Sequence, residues 1–491
     1  MSVQISAQLW LKPPDNVMSG RYDRSKVVPR IVHLGFGNFH RSHQAFYADQ
    51  LLELRSGDWG ICGVGTMPGD ATVYEAMSAQ DCLYTLVGRD ANKSTARIIG
   101  SVVKYLFGHQ HPEMVFQQMA APETRIVSMT ATEGGYCIHS GTGELKLDHE
   151  GIRHDLECPG SPHTIFGYLA ESLDRRRRAG LAPFTVFSCD NLEGNGDTAK
   201  RTLLAFCQAA GRDNLANWVD GNVAFPNCMV DRITPGFSTE TIAFLRQTFG
   251  IDDKHPVVHE PFRQWVVEDR FCNGRPPWEQ VGVEFTSDVK PWERIKMSVL
   301  NATHSAMGYL GYLQGFRYIH EIAQDAAFTS YLQGMLDIEV TPHLPKLPGL
   351  DITAYKASVL ERFANPMIAD TALRICMDGS SKLPKFILPS IENALRSNGS
   401  LRRLTLCVAA WLRFLNGVDE QGAVIEITDP KGPALNALAK QHRENPLPIL
   451  EIADIFGELG RSTRFVEEVQ LLLKMLYERG AKDALTFVVQ G

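Results

Sequence analysis

The sequence predicts an α/β protein of two domains, a mostly parallel sheet over residues 1–285 followed by a mainly α-helical domain over 286–491. Three observations predict it. Short apolar runs alternate with helical patterns through the first half, the signature of strands joined by crossover helices. The first of those runs stops at a glycine turn that opens a helix. Beyond about residue 288 strand-like alternation nearly disappears and helical periodicity takes over.

The elements follow in order. Residues 27–34 form a short apolar run that ends at Gly35-Phe36-Gly37, and 40–54 carry Ala45, Phe46, Leu51 and Leu52 at helical spacing. That is strand, glycine turn, helix. Residues 59–65 read as a second parallel strand, and 125–130 and 184–188 as later ones. Between the last two, 165–178 predicts a helix with Gly180 near its C-cap. The basic run 175–178 closes that helix, where cations suit the dipole, and reads as a solvated helix end rather than a nucleic-acid patch. In the second half, 295–315, 326–336, 355–363, 401–415 and 464–480 predict helices. The boundary is placed in the Thr286-Ser287-Asp288 stretch before Pro291.

Composition narrows the function. The chain has 491 residues with 49 Lys+Arg against 56 Asp+Glu, a net charge of −7, and 44% hydrophobic residues. A disordered chain would be less apolar and more unbalanced in charge. The acidic balance argues against a nucleic-acid partner. No apolar stretch approaches the ~18 residues of a membrane span, and the N-terminal segment has no secretory core. The ten cysteines are scattered without a CxxC pair, which suits neither zinc nor a disulfide framework. The expectation is a cytoplasmic protein without metal, nucleic-acid or membrane partners. Nothing advertises a coiled coil or a pairing edge strand, so a monomer is expected rather than an obligate oligomer.

Gly35-Phe36-Gly37-Asn38-Phe39-His40 has the form of the dinucleotide fingerprint G-x-G-x-x-G, with His40 in the third place. The first glycine makes the tight turn, and the second lets backbone N–H groups approach a pyrophosphate. A plain turn in an α/β sheet would look similar, but the strand before and the helix after favour a nucleotide site in a Rossmann-like unit. Ribose recognition uses an acid just past the second strand. Asp70 stands there, and 66–88 contain no Lys or Arg, which favours NAD over NADP. The same aspartate could merely cap a turn. Polar clusters at 130–136, 188–192 and 225–232 sit at strand ends or in loops, where an open sheet faces its ligand.

The densest polar group is Glu293, Lys296, Asn301 and His304. At about 100° per residue, with Lys296 at zero, Glu293 falls near 60°, His304 near 80° and Asn301 near 140°. All four share an arc of roughly 140°, flanked by Met297, Val299, Leu300 and Met307.

These stretches together resemble the polyol-specific long-chain dehydrogenase/reductase family, over nearly the whole chain and most closely its mannitol-oxidising branch. The matching pieces are GFGNFHRSHQAFY from Gly35, TATEGGY from Thr130, SCDN from Ser188, VDRITP from Val230, EPFRQWVVED from Glu260, the Lys296…Asn301…His304 spacing and DGSSKLPKF from Asp378. The resemblance implies metal-independent hydride transfer between NAD(H) and C2 of a hexitol or 2-ketohexose of the D-mannitol/D-fructose type. It implies Lys296 as general base, Asn191 and Asn301 as amide donors to the reacting oxygen, and His304 as the group that orients substrate hydroxyls. Arg374 and Lys382 would reach the polyol chain, and Asp231 the ribose or substrate edge. Glu133 and Glu293 would relay the proton. The cofactor contacts would be Gly35, Phe36, Gly37, Asn38, Phe39, His40, Asp70 and Thr132. A lysine with an ordinary pKa near 10.4 would need a site that lowers it. Strongly NAD-preferring relatives present two adjacent acids where this chain has Gly69-Asp70, so some NADP tolerance is expected. The alternatives inside the family are a hexuronate (fructuronate or tagaturonate) reductase and a dehydrogenase of arabinitol, sorbitol or altritol. Outside it, the alternative is a catalytically silent nucleotide binder.

Overall fold

The computed structural model describes residues 2–55, 57–132, 134–139 and 142–490. The chain divides into two compact units, Met1–Lys290 and Pro291–Gly491. In the first, five strands make the central sheet: β1 (Ile31–Leu34), β2 (Ile61–Gly65), β3 (Val102–Phe107), β4 (Ile126–Met129) and β5 (Thr185–Ser188). All four pairings are parallel, in the order β3-β2-β1-β4-β5. This is the doubly wound arrangement, and the strand order reverses between β1 and β4.

The two helices that follow β1, α1 (Asn38–Ser42) and α2 (Gln44–Leu54), are separated by His43, so the expected single helix is broken there. On one face of the sheet α2 packs with Trp265 and Trp278 over Ile31, Ile61 and Ile126. On the other, α3 (Ile165–Arg178) covers Val32, Val64 and Val127 with Phe166, Leu169 and Leu173. The strands are apolar on both faces because both are covered. Thr164 caps α3 by accepting from Gly167 N–H, and Gly180 follows its end at φ +67°. The basic end of α3 departs from expectation at one residue. Arg177 and Arg178 pair with Asp174, and Arg175 with Glu113 and Glu171. Arg176 is instead buried, donating to the carbonyls of Met119, Ala121 and Ala182.

Beside the central sheet lie three that the sequence reading missed, the smallest a parallel pair of Val3–Gln4 with Ile251–Asp252. Val17–Ser19, Tyr84–Arg89, Ser94–Ile99 and Val257–His259 form a mixed four-stranded sheet. A three-stranded one joins β6 (Cys228–Asp231), β7 (Gln264–Glu268) and β8 (Glu284–Thr286), with β6 antiparallel to β7.

The second unit is helical and includes α4 (Lys290–Lys296), α5 (Ala302–Leu313), α6 (Ile352–Phe363), α7 (Ala372–Cys376), α8 (Gly379–Phe386), α9 (Arg402–Phe414) and α10 (Thr463–Glu478). Helix α5 packs against α7, α8 and α9, and α9 against α10. Its core is built on Tyr309, Leu310, Trp411, Leu404 and Val469. Among the described residues no helix is long and apolar enough to cross a membrane.

The region 295–315 is not one regular α-helix. Met297–Asn301 is a π-helical turn between α4 and α5. An i→i+5 ladder holds one more residue in a turn than an α-helix, so positions beyond it swing back by roughly 100°. His304 moves from about 80° to about −20°, and Asn301 from about 140° to about 40°. The four polar residues therefore share an arc of roughly 80°, narrower than a regular helix would give.

Candidate active site

In the first unit the polar groups gather at the carboxyl ends of β1, β2, β4 and β5. Gly35 takes φ +82°, and a Cβ there would lie 2.2 Å from the Thr130 carbonyl oxygen at the end of β4. Only glycine fits. Thr130 holds the turn from beneath, its Oγ1 donating to Gly35 O at 2.7 Å while pairing with His33 Nε2 at 3.0 Å. Gly37 is different. A Cβ there would meet nothing nearer than Gly35 O at 3.9 Å, so the space above it is open. Gly37 also N-caps α1 without a side-chain cap, which leaves the first N–H groups for another acceptor. An open cradle over a glycine beside uncapped N–H groups fits a pyrophosphate.

The side chains of Phe36 and His40 point elsewhere. Phe36 packs on Gly63, where a Cβ would come 2.6 Å from its ring. His40 stacks on His33 with ring centroids 3.4 Å apart. Burial pushes His33 down to about 3 and His40 well below the ordinary imidazole range, so both are neutral at pH 7. Any part these two play toward a dinucleotide falls to their backbone. Asn38 accepts from Arg41 through Oδ1 and donates to Pro235 O, and Phe39 stacks on His43 at 5.0 Å.

Asp70 packs against Gly65 at the end of β2, where a Cβ would meet its Cβ at 2.7 Å. Its Oδ2 accepts from Met67 N–H at 2.9 Å, so it does cap the turn. At the ends of β4 and β5 the organiser is Asp190, to which the sequence reading gave no role. Asp190 accepts from Ala131 N–H at 3.0 Å, Thr132 N–H at 2.9 Å and Tyr136 Oη at 2.9 Å. It ties the loop after β4 to the strand end that carries Asn191. Thr132 lies at φ +56°, a strained conformation for a β-branched residue. Asn191 is exposed beside it, and Glu133 lies outside the described residues. Asp231 is buried at the end of β6, opposite Gln264.

In the second unit, Glu293 and Lys296 are 2% and 5% exposed on α4. Asn301 ends the π turn and His304 stands one turn into α5. His304 lies over the Phe363 ring at 4.1 Å, and its Nε2 is buried with no hydrogen-bond partner. That nitrogen is 4.0 Å from Asp370 Oδ2, too far for a hydrogen bond. Burial pushes the His304 imidazole down to about 3. Asp370 opposes the shift, while Arg374, Lys382 and Arg362 reinforce it. Arg374 donates to Asp370 twice, Nε to Oδ1 at 2.6 Å and a terminal nitrogen to Oδ2 at 2.5 Å. Lys382 Nζ donates to Ile375 O at 3.2 Å. The structure thus brings His304 and Arg374 to one carboxylate, with Lys382 acting electrostatically on His304. The spacing of Asp370 four residues before Arg374 was its available signal in the sequence.

Two family models match the chain, the mannitol dehydrogenase Rossmann domain over residues 29–280 and the mannitol dehydrogenase C-terminal domain over 288–477. A mannitol 2-dehydrogenase of Phaeosphaeria nodorum is 47% identical over 96% of this chain and 83% of its own length. A mannitol dehydrogenase of Saccharomyces cerevisiae is 46% identical over 94% and 93%. Among solved structures, the ternary complex of Pseudomonas fluorescens mannitol 2-dehydrogenase with NAD and D-mannitol superposes with a TM-score of 0.94 at 40% identity, covering 99% of this chain and 100% of that one. A substrate-free D-sorbitol dehydrogenase superposes at 0.86 and 38% identity, over 98% and 100%.

Proposed function

This chain belongs to the mannitol dehydrogenase family, and from that premise we propose that it interconverts D-mannitol and D-fructose with NAD(H), using Lys296 as general base. The observation that carries this reading is the polar face of α4, the π turn and α5, in a chain alike over 99% of its length to an enzyme held with NAD and D-mannitol.

The nicotinamide ring, when bound, supplies the acceptor for the hydride on C2 of the alcohol. The chain supplies the rest. Gly37 and the uncapped N–H groups of α1 hold the pyrophosphate, and Asp70 offers its second oxygen to the adenosine ribose diol, where it repels a 2′-phosphate. Thr132, fixed by Asp190, would contact the cofactor, and Asp231 would reach the ribose or substrate edge. Lys296 in its neutral form takes the hydroxyl proton as the carbonyl forms, which requires an amine less basic than a free lysine. Asn191 and Asn301 donate to the oxygen while it carries negative charge. His304 presents the buried, unpaired Nε2 to a substrate hydroxyl, and Arg374 and Lys382 hold the distal chain. Glu293 and Glu133 pass the proton onward from Lys296.

The test is NADH oxidation with fructose, sorbose, fructuronate and tagaturonate, repeated with Lys296→Ala. Fructose turnover should fall by about 10²–10⁴-fold in the variant while NADH still binds. Uronate turnover without fructose turnover would keep the chemistry and overturn the substrate. The likeness to a sorbitol dehydrogenase makes sorbitol the first competing polyol to add to the oxidation assay.

A further inference from the structure

An enzyme for hexuronates and one for hexitols face the same carbon skeleton, and they differ at its far end. A uronate carries a carboxylate there, and the usual device for binding one is the fork of an arginine, two parallel N–H groups meeting two oxygens. Arg374 is the arginine of the second unit that this reading sends to the distal chain, and the Nε-side fork of its guanidinium is already taken. Asp370 Oδ1 and Oδ2 take Nε and a terminal nitrogen at 2.6 and 2.5 Å. The Asp370 side chain is 5% exposed and the Arg374 side chain 43%, so the pair hides the acid and leaves the arginine side chain accessible.

The pair is held from several sides. Ala369, immediately before it, stands at φ +52°, a conformation that persists where surrounding structure enforces it. The Asp370 carbonyl accepts from Ile319 N–H at 2.9 Å, and the next helix turn is closed by Ala372 N–H to Arg317 O at 3.0 Å. Burial pushes the Asp370 carboxyl up, and Arg374 more than offsets this, so the acid stays below its ordinary range and ionised at neutral pH. The other charged groups acting on His304 in this cluster are the cations Lys382 and Arg362.

We propose that Asp370 is a specificity-determining residue. By taking the Nε-side fork of Arg374, pairing its charge, and lying beside the unpaired Nε2 of His304, it selects the neutral hydroxyl end of a polyol over the carboxylate end of a hexuronate. This rests on the polyol reading above. It also explains how a chain carrying Arg374 and Lys382, cations that a uronate enzyme would equally need, can prefer an uncharged substrate.

The experiment compares wild type, Asp370→Asn and Asp370→Glu in fructose and fructuronate reduction. Inhibition by D-gluconate, a six-carbon acid without a ketone to reduce, serves as the binding probe. NADH titration of each variant verifies that the nucleotide half is intact. In Asp370→Asn the ratio of kcat/KM for fructose to that for fructuronate should fall at least tenfold, chiefly through KM, and the gluconate inhibition constant should fall at least tenfold. Asp370→Glu, which retains the charge, should keep gluconate inhibition weak. Adding Arg374→Gln to Asp370→Asn should abolish the gain. A merely structural role would lower both substrates together and leave their ratio unchanged, and that result overturns the proposal, as does unchanged gluconate inhibition. A wild-type preference for fructuronate would overturn the polyol reading itself, and it is seen before any variant is made.

Discussion

Alanine at Gly35 and at Gly37 should have separable effects, although the two positions are two residues apart in one turn. At Gly35 the new Cβ would sit 2.2 Å from Thr130 O, where real carbon–oxygen contacts exceed about 3 Å. Thr130 cannot simply retreat, because its side chain is bonded to both Gly35 O and His33. The left-handed φ of +82° adds about 1–2 kcal/mol for a residue with a Cβ, and relief of the overlap brings the total to roughly 3 kcal/mol. For a cooperative unit of 290 residues, with about 2.1 cal/mol/K of unfolding entropy per residue, that is a fall of about 5 °C in Tm. At Gly37 the backbone is extended and the Cβ meets nothing nearer than 3.9 Å, so Tm should stay within about 1 °C. Its methyl would instead occupy the cradle, and NADH affinity should drop at least tenfold, about 1.4 kcal/mol. Differential scanning fluorimetry and NADH fluorescence titration read the two effects separately. Wild-type NADH affinity in Gly37→Ala would refute the placement of the pyrophosphate, and an unchanged Tm in Gly35→Ala would refute the steric argument.

Two further outcomes are expected. Asp70→Ala should raise the NADP-to-NAD ratio of kcat/KM at least tenfold by removing the carboxylate that faces a 2′-phosphate; a ratio unmoved would leave Asp70 as a turn cap alone. His33 binds its proton only near pH 3 in the folded chain, against about 6.5 unfolded, so between these values the unfolded state holds more protons and stability must fall as pH falls. The urea midpoint should therefore drop between pH 6.5 and 4.5, with a shallower slope in His33→Gln, and equal slopes would show that another group governs the acid limb.

Much of this architecture was legible because local chemistry and tertiary context agree. Helix α3 matches its expected bounds, having an apolar face for the sheet, Thr164 to start it and Gly180 to follow it. The first strand is shorter than its apolar run, since Pro29 has no N–H to give a ladder and pairing begins only at Ile31. The strands Tyr84–Arg89 and Ser94–Ile99 were missed, as apolar residues on both faces of the first blur the two-residue alternation. Lys296, Asn301 and His304 could be picked out by residue type and spacing. Their angular relation could not, because a π turn has no compositional mark and is set by what packs around it. Asp190 stayed hidden for a related reason, whereas Asp370 had a local signal in its spacing to Arg374. Asp190 acts through backbone amides nearly sixty residues away that only the fold brings to it.

The π turn has a thermodynamic side as well. A stretch that abandons the i→i+4 ladder gives up the most favourable helical geometry at the point where the polar face is assembled. Evolution toward thermal hardiness would be expected to regularise such a stretch, and doing so would rotate Asn301 and His304 away from Lys296 by roughly a quarter turn. On the proposed roles of these residues, robustness and turnover would pull in opposite directions along this segment. Efforts to harden this protein are better aimed at α3 or α9 than at the segment that joins α4 to α5.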